Sequence, residues 1–530
     1  MSRIGAWILV LAMAWAPSVG AEDPGEVRPY VSGEDVNVPN AINGEPRTWT
    51  PANAKSTPGF ARGGPFEAAL IKVFNEDAGD SKEIAVFRMN SGAVRAFQTD
   101  SFVQTDIDAI HAFKAAQPAP PRDPNTYKTK DFNNAFSLLA DHRVSRYETQ
   151  HFCFWYGPDR SREGKELDDP QYLRKAGEWY EKVWQWNQFQ MHAPMPYAND
   201  REKFRVNVSL THTGLPWLSG DDWATSAESM NLMPTAMFYG STVVPHEFTH
   251  VIQFYSGGFR ESDSVGAFWE THAEFSAMNF CPFYDDDMKE MMENLRMGFQ
   301  YPLSRYSNFP ILFQLWEKRR TAPLVYGIWP QNLRKPDGST LEDPAQTMVR
   351  LGEQDQILPA GWTSFGDEIG EMAARLVAMD YVNQQYFLDA TQPFRAATLF
   401  PLKPAHDGWL TPPQDKKLHA YGVMHFRVIP DSGAKTIEVM LSGRTSSNHA
   451  SWRLTLVGVN AANECRYSPM ARCVLQNSST PVKLDVQPGE TYTIAVAATP
   501  MEYSPVRWVE PIKEPEISYP FELRVVGAGQ

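Results

Sequence analysis

Cysteine is scarce, with four residues in a chain of 530. No two of them stand in a C-x2-C spacing, which excludes a cysteine-built zinc site of the finger kind. Positive charge is also in deficit: Lys+Arg is 49 against Asp+Glu 63, a formal net charge of −14. A surface made to neutralise phosphates leans the other way, so no nucleic-acid partner is expected. Beyond the N-terminus no apolar run is long enough to span a bilayer, so no integral membrane segment is expected after removal of a leader. No fixed-period repeat is present, which argues against a solenoid. Charged residues are only 21% of the chain and hydrophobic ones 42%. Such a chain can bury enough apolar surface to fold, and its length leaves room for two or three domains.

The first 21 residues read as a secretory signal peptide. Arg3 supplies the positive start, Ile4 to Ala16 is uncharged and apolar, and Val19-Gly20-Ala21 offers small residues for cleavage after Ala21. A membrane anchor is the alternative, but the run is short for one. The protein is therefore expected to be secreted or periplasmic. In that oxidising setting Cys465 and Cys473 are close enough to clip a hairpin, which leaves Cys153 and Cys281 for a long-range disulfide; four free thiols are the alternative.

Residues 22–125 read as an N-terminal extension or small domain. They contain strand-like (Glu83 to Arg88) and helix-like (Asp106 to Ala116) runs and end in the Pro-rich linker Ala116 to Pro124. An inhibitory pro-segment, or a part of the main domain, is equally compatible with this stretch. From 126 to 405 the pattern is more regular. Thr149 to Tyr156 (TQHFCFWY) reads as a buried strand and Pro170 to Met191 as a helix whose stripe breaks at Asn187. Phe204 to Thr211 alternates with period two, as a half-buried strand does. Pro245 sits where the first turn of a helix tolerates it, so a helix should start near Val244 and stop at Gly257-Gly258. A second helix, capped by Asp263 or Ser264, should run through Phe280. Phe309 to Arg320 and Gly366 to Gln384 are also helical in pattern. Over 406–530 the period becomes two, in Ile437–Leu441, Trp452–Leu456, Val482–Val486, Tyr492–Ala497 and Phe521–Val525, which reads as a β-sandwich.

His246-Glu247-Phe248-Thr249-His250 is an HExxH motif inside the first of those helices. Residues four apart share a helix face, so both imidazoles can reach one ion, with Glu247 one position round. Zinc accepts three protein ligands plus water and lowers the pKa of that water, so Glu247 could take its proton and pass it to a leaving amine. Glu270, 20 residues past His250 on the second helix, is the third donor, and Glu274 on the same face can accept the spare ring N–H of a ligand histidine. Asp263 is an alternative ligand. His272 points away and reads as structural. The third-histidine pattern of metzincins is absent, since Gln253 and Ser256 fill the following positions.

HEFTH followed by WETHAE resembles the gluzincins, the thermolysin-like branch of zinc metallopeptidases. The strand HFCFWYG, the strand FRVNVSLTHTG and the trailing β region resemble, more narrowly, a secreted gluzincin-like family of unassigned function. The resemblance covers roughly residues 130–530. It implies an α+β fold: a zincin-like metallopeptidase domain, with a mixed sheet, an active-site helix and a helical lower half, followed by an all-β sandwich accessory domain. Carried over by position, His246, His250 and Glu270 are zinc ligands, Glu247 is the catalytic base, and Glu274 is the carboxylate behind His246. The implied activity is hydrolysis of peptide or protein substrates by Glu-activated, zinc-bound water. Trp269 stands where such enzymes often carry the Asn that steadies the second histidine, so that support must come from elsewhere. Ala227-Glu228-Ser229-Met230-Asn231 does not match the G-x-M-E-N exopeptidase signature, which favours an endopeptidase. Tyr306 is the candidate for oxyanion stabilisation, ahead of His192 and His212. The competing readings are a zinc-site protein without peptidase activity and an extracellular protein whose β domain binds glycan, protein or a cell surface. Asn207 and Asn477 head glycosylation sequons, and Asp285-Asp286-Asp287 could hold Ca2+.

Overall fold

The structure is a computed structural model that describes residues 47–50, 52, 65–75, 83–89, 94–116, 127–197, 200, 202–218, 224–259, 266–280, 285–319, 322–506 and 512–529. The leader, Asp263, Ser264 and Cys281 lie outside the described residues, as do the side chains of Asp285–Asp287.

The N-terminal unit is an antiparallel meander of β1 (Arg47–Trp49), β2 (Phe66–Asn75), β3 (Glu83–Met89) and β4 (Val94–Gln98), with α1 (Gln104–Ala116) packed on it. Trp49, Leu70, Phe87, Phe97, Phe102 and Ile110 form its own core. Asp106 ties the ends together by accepting from the Thr50 N–H at 2.7 Å and from Arg47. The described residues of this stretch thus form a folded unit with a core of their own.

The next layer holds α2 (Ala135–Ala140), β5 (Ser145–Glu148), β6 (Phe152–Tyr156), α3 (Tyr172–Gln185), β7 (Val206–Leu210), β8 (Ala224–Thr225), β9 (Ser229–Leu232), α4 (Val243–Tyr255) and α5 (Gly266–Phe280). The sheet order is β5-β6-β7-β9-β8, parallel in its centre and antiparallel at both edges. Phe152, Phe154, Val206, Val208 and Leu210 face the helices and share one core with α3, α4 and α5. The other face is covered too, so β7 is buried throughout rather than half-buried as its alternation suggested. Its polar residues are satisfied inside: Trp155 Nε1 donates to Asn207 Oδ1 at 2.8 Å, and Trp217 Nε1 to Ser209 Oγ at 3.1 Å. Asn207 is therefore no glycan acceptor in the folded chain, whereas Asn477 is exposed. The α3 helix ends at Gln185 and continues as a π-helical turn, Trp186–Gln190, in which Asn187 caps the Val183 carbonyl at 3.0 Å and accepts from the Tyr326 hydroxyl.

Helices α6 (Asp285–Asn294), α7 (Pro310–Arg319), α8 (Ala322–Val325), α9 (Ile328–Gln331), α10 (Pro344–Gln354), α11 (Trp362–Leu376) and α12 (Gln384–Thr391) complete the helical part. The sandwich follows as β10 (Lys403–Pro404), β11 (Trp409–Thr411), β12 (Val423–Pro430), β13 (Thr436–Gly443), β14 (Ser451–Val459), β15 (Cys465–Tyr467), β16 (Ala471–Val474), β17 (Val482–Asp485), β18 (Thr491–Ala498), β19 (Phe521–Val526) and β20 (Ala528–Gly529). One sheet runs β10-β11-β19-β13-β17 and the other β15-β14-β18-β12-β20, with β16 also on β14. The chain as a whole is α+β.

An expectation fails here. Cys465 and Cys473 are free thiols, not a disulfide. Both strands pair with β14, but Cys465 opposes Val459 and Cys473 opposes Trp452. Seven residues of extended strand separate those partners, about 23 Å at the usual rise, far beyond the reach of a disulfide. Cys153 is also a free, buried thiol, and it clusters with Ala135 of α2, Val144 and Leu215. The sandwich packs closely on the helical part. All nine residues of β14 are buried, because one of its faces fills the sandwich core and the other meets α11. Arg453 on that second face donates to Asp367 at 2.6 Å, Ser451 at 2.7 Å and Thr499 at 2.8 Å.

A second junction joins α10 to the sandwich. Tyr503 stacks on Trp362 with ring centroids 4.2 Å apart, and its hydroxyl donates to Asp343, which also caps α10 by accepting from the Gln346 N–H at 2.8 Å. Burial pushes the Asp343 carboxyl up to about 6, against the opposing effect of Tyr503 and the cap. An acid raised this way in the fold gives stability that is complete below its unfolded value near 3.9 and is lost as pH rises through 6. Asp343→Asn removes that dependence. Its stability relative to wild type should improve by up to about 3 kcal/mol between pH 4 and pH 7 in urea melts. A difference that stays flat over this range would show that Asp343 does not titrate there.

Candidate metal centre

The HExxH segment lies on α4, and Pro245 in its first turn loses no hydrogen bond. The helix stops where Gly257 and Gly258 take φ of 89° and 54°. A side chain at Gly258 would also strike the Trp269 ring at 2.7 Å, so this glycine permits both the turn and the close approach of α5. The two helices then pack so that Glu270 and Glu274, one turn apart on α5, face His246 and His250.

Three atoms meet at one point. His246 Nε2 lies 3.2 Å from His250 Nε2 and 3.1 Å from Glu270 Oε2, and His250 Nε2 lies 3.3 Å from the same oxygen. Tetrahedral bonds of about 2.0 Å place donor atoms about 3.3 Å apart. The outer nitrogens are both engaged: His246 Nδ1 is 3.0 Å from Glu274 Oε2, and His250 Nδ1 is 2.7 Å from Gln253 Oε1. With a proton on each Nδ1, two nitrogen lone pairs and a carboxylate oxygen converge in a buried space with no hydrogen among them. That arrangement asks for a cation, and the residues fit a divalent metal ion. The three atoms of His246, Glu247 and His250 also lie within 4.8 Å of one another, but Glu270 makes the tighter set.

Electrostatics agree with the geometry. Burial opposes a positive charge on His246, yet hydrogen bonds to Glu270 and Glu274 raise it well above the ordinary histidine value. Burial also disfavours the Glu270 carboxylate, but His250 and His246 hold it well below the carboxylate range. These carboxylates attract a proton when no metal is bound, and a metal cation competes for the same site.

The remaining residues singled out in the sequence fall as follows. Glu247 is 9% exposed, and its Oε2 accepts from the Thr225 hydroxyl on edge strand β8. Tyr306 flanks the site with its ring centroid 6.0 Å from that of His246, and Arg305 covers it at 4.8 Å. Burial, followed by Glu270, raises the Tyr306 phenol above its ordinary value. The Arg305 carbonyl accepts from Thr271 at 2.7 Å, which pins the Tyr306 segment to α5. His212 instead faces Glu163 at 3.5 Å. His192 follows the π-helical turn. His272 points away from the two imidazoles, and burial pushes it down to about 3, so its ring is neutral. The support that Trp269 cannot supply to His250 by its side chain comes from Gln253, whose Nε2 donates to the Trp269 carbonyl at 3.0 Å. Gln253 stands three residues after His250 on one helix face, a spacing that makes such a contact legible in the sequence. Thr225 carries no comparable signal, because a two-residue strand has no period.

Residues 115–530 match the family of unknown function DUF6055. The chain belongs to that family. Its span takes in the sheet, both site helices and the sandwich together, and leaves nearly all of the N-terminal unit outside. No curated protein matches the chain. No helix among the described residues is long and apolar enough to cross a membrane.

Glu274→Ala leaves His246 Nδ1 without its acceptor. Affinity for a divalent transition metal should fall about 10–100-fold in chelator competition. Unchanged affinity would separate Glu274 from the site.

Proposed function

We propose that this DUF6055 protein is a secreted or periplasmic zinc-dependent peptidase of the gluzincin type, acting as an endopeptidase. The observation that carries the reading is the convergence of His246 Nε2, His250 Nε2 and Glu270 Oε2 within 3.1–3.3 Å beside a buried glutamate. Two imidazoles and one carboxylate form a donor set that suits zinc and leaves a position open for substrate. When bound there, zinc supplies Lewis-acid chemistry, polarising a carbonyl and easing the loss of a proton from water.

The chain's own groups supply the rest. Glu247 follows the first donor directly and reaches the same space. Its carboxylate takes a proton from the attacking water and returns it to the leaving nitrogen. Thr225 donates to one of its carboxylate oxygens. Tyr306 keeps its phenolic proton and can donate it to the oxygen that gains charge. Strand β8 is an antiparallel sheet edge one hydrogen bond from Glu247. An extended peptide pairing along such an edge would carry its carbonyl past that carboxylate, which favours cleavage within a chain.

The test joins metal analysis to cleavage. Protein purified from zinc-supplemented medium should hold one zinc per chain and cut a mixed-sequence peptide library at internal bonds. Glu247→Gln should keep the zinc and lose about 10²–10⁴-fold in turnover. Tyr306→Phe should lose about 10²–10³-fold with zinc retained. Zinc-loaded wild type that cuts nothing in the library would overturn the peptidase reading.

A further inference from the structure

We propose that Gln253 is a positioning residue that sets the tautomer of His250, and that Trp329, His272 and the Trp269 carbonyl lock its amide in the one orientation that can do so. The inference rests on the reading of His246, His250 and Glu270 as metal donors.

His250 can offer a lone pair at Nε2 only if its proton sits on Nδ1. That nitrogen faces one partner, Gln253 Oε1, at 2.7 Å. An amide is nearly symmetric in shape, so the contact alone does not say whether oxygen or nitrogen faces the ring. The far end of the amide decides it. Gln253 Nε2 lies 3.0 Å from the Trp269 carbonyl oxygen and 3.0 Å from His272 Nδ1. A carbonyl only accepts, so the NH2 group must face it. His272 Nδ1 in turn lies 3.0 Å from Trp329 Nε1, and an indole N–H only donates. His272 Nδ1 is therefore an acceptor and can receive from Gln253 but not donate to it. Two groups of fixed polarity, one carbonyl and one indole, thus orient the amide, and the amide orients the proton on His250.

Burial makes this lock consequential. Gln253 and His272 are both 0% exposed, so no solvent can take the place of a lost partner. The two ligand histidines are also supported differently. His246 leans on the Glu274 carboxylate, whereas His250 leans on a neutral amide. A carboxylate at 253 could accept from His250 equally well. Its second oxygen would then face the Trp269 carbonyl and the lone pair of His272, both acceptors. The position therefore requires glutamine and rejects glutamate, although glutamate serves behind His246.

The test uses the full chain with 15N-labelled histidine, metal-free and at a pH alkaline enough to leave the His250 ring neutral, with the His250 signals assigned by their loss in His250→Gln. Wild-type His250 should show the Nδ1–H tautomer. Gln253→Met, close in volume but unable to accept, should shift it to the Nε2–H form or a mixture. Zinc affinity by chelator competition should fall about 10–100-fold in Gln253→Met and in Gln253→Glu. Trp329→Phe leaves the Trp269 carbonyl to hold the Gln253 amide, so His250 should keep its Nδ1–H tautomer there, and an Nε2–H form in that variant would overturn the orientation assigned to the amide. A pure Nδ1–H tautomer in folded Gln253→Met overturns the proposal, as does wild-type behaviour of Gln253→Glu in both measurements. If wild type takes up no zinc while the tautomer shifts as expected, the metal reading falls and the role of Gln253 stands.

Discussion

Much of this structure depends on three lone pairs that must not repel one another. His246, His250 and Glu270 bring them within 3.1–3.3 Å in a largely buried space. Three acceptors at that distance are unfavourable unless a cation, a proton or a metal ion, lies among them, and more so where the dielectric is low. The fold nevertheless holds them there, from two helices and through partners on the outer side of each ring. Glu274 and Gln253 make no contact with the convergence point, yet without them the ring protons could move to the inner nitrogens and turn the site into a set of ordinary hydrogen bonds. The buried polar residues of α4 and α5 thus serve to preserve an arrangement that becomes favourable only around a cation.

How legible this was depends on whether a contact runs along one helix or between elements. The HExxH pair and the Glu270–Glu274 pair are each four residues apart, and helical geometry turns that spacing into a shared face. The Gly257-Gly258 stop between the helices was legible for the same local reason, since both glycines take left-handed φ. The Cys465–Cys473 disulfide fails because strand pairing brings β15 and β16 to opposite ends of β14, and no local property of the segment 465–473 records where its strands dock. Strand β7 and Arg453 teach a related point. Alternation of polar and apolar residues reports two different faces, but it does not say that one of them is wet. Asn207, Ser209 and Arg453 each occupy the polar side of such a pattern and each is buried against a neighbour that sequence order does not announce.

The sandwich gains its role from the same coverage. Helix α5 carries Glu270 on one face, and on another its Phe275 meets Phe313 of α7 with ring centroids 4.9 Å apart. Helix α7 lies on α11, where Gln314 donates to Glu368 at 2.8 Å and Arg375 pairs with Glu317 at 2.6 Å. Helix α11 lies on β14, with Arg453 reaching across to Asp367. A continuous stack of buried layers therefore runs from the third donor to the centre of the β-sandwich. Donor atoms meant to meet within a few tenths of an ångström need backing that does not yield, and close-packed interiors supply it because their side chains cannot shift singly. The family match supports this view, since it covers the helical part and the sandwich as one span. An appended binding module would be expected to meet its neighbour over a polar, loosely held surface. Here Val423, Val457, Ala495 and Ala497 of the sandwich lie in the same core as the site helices, which makes the β region part of the scaffold that holds Glu270 in place.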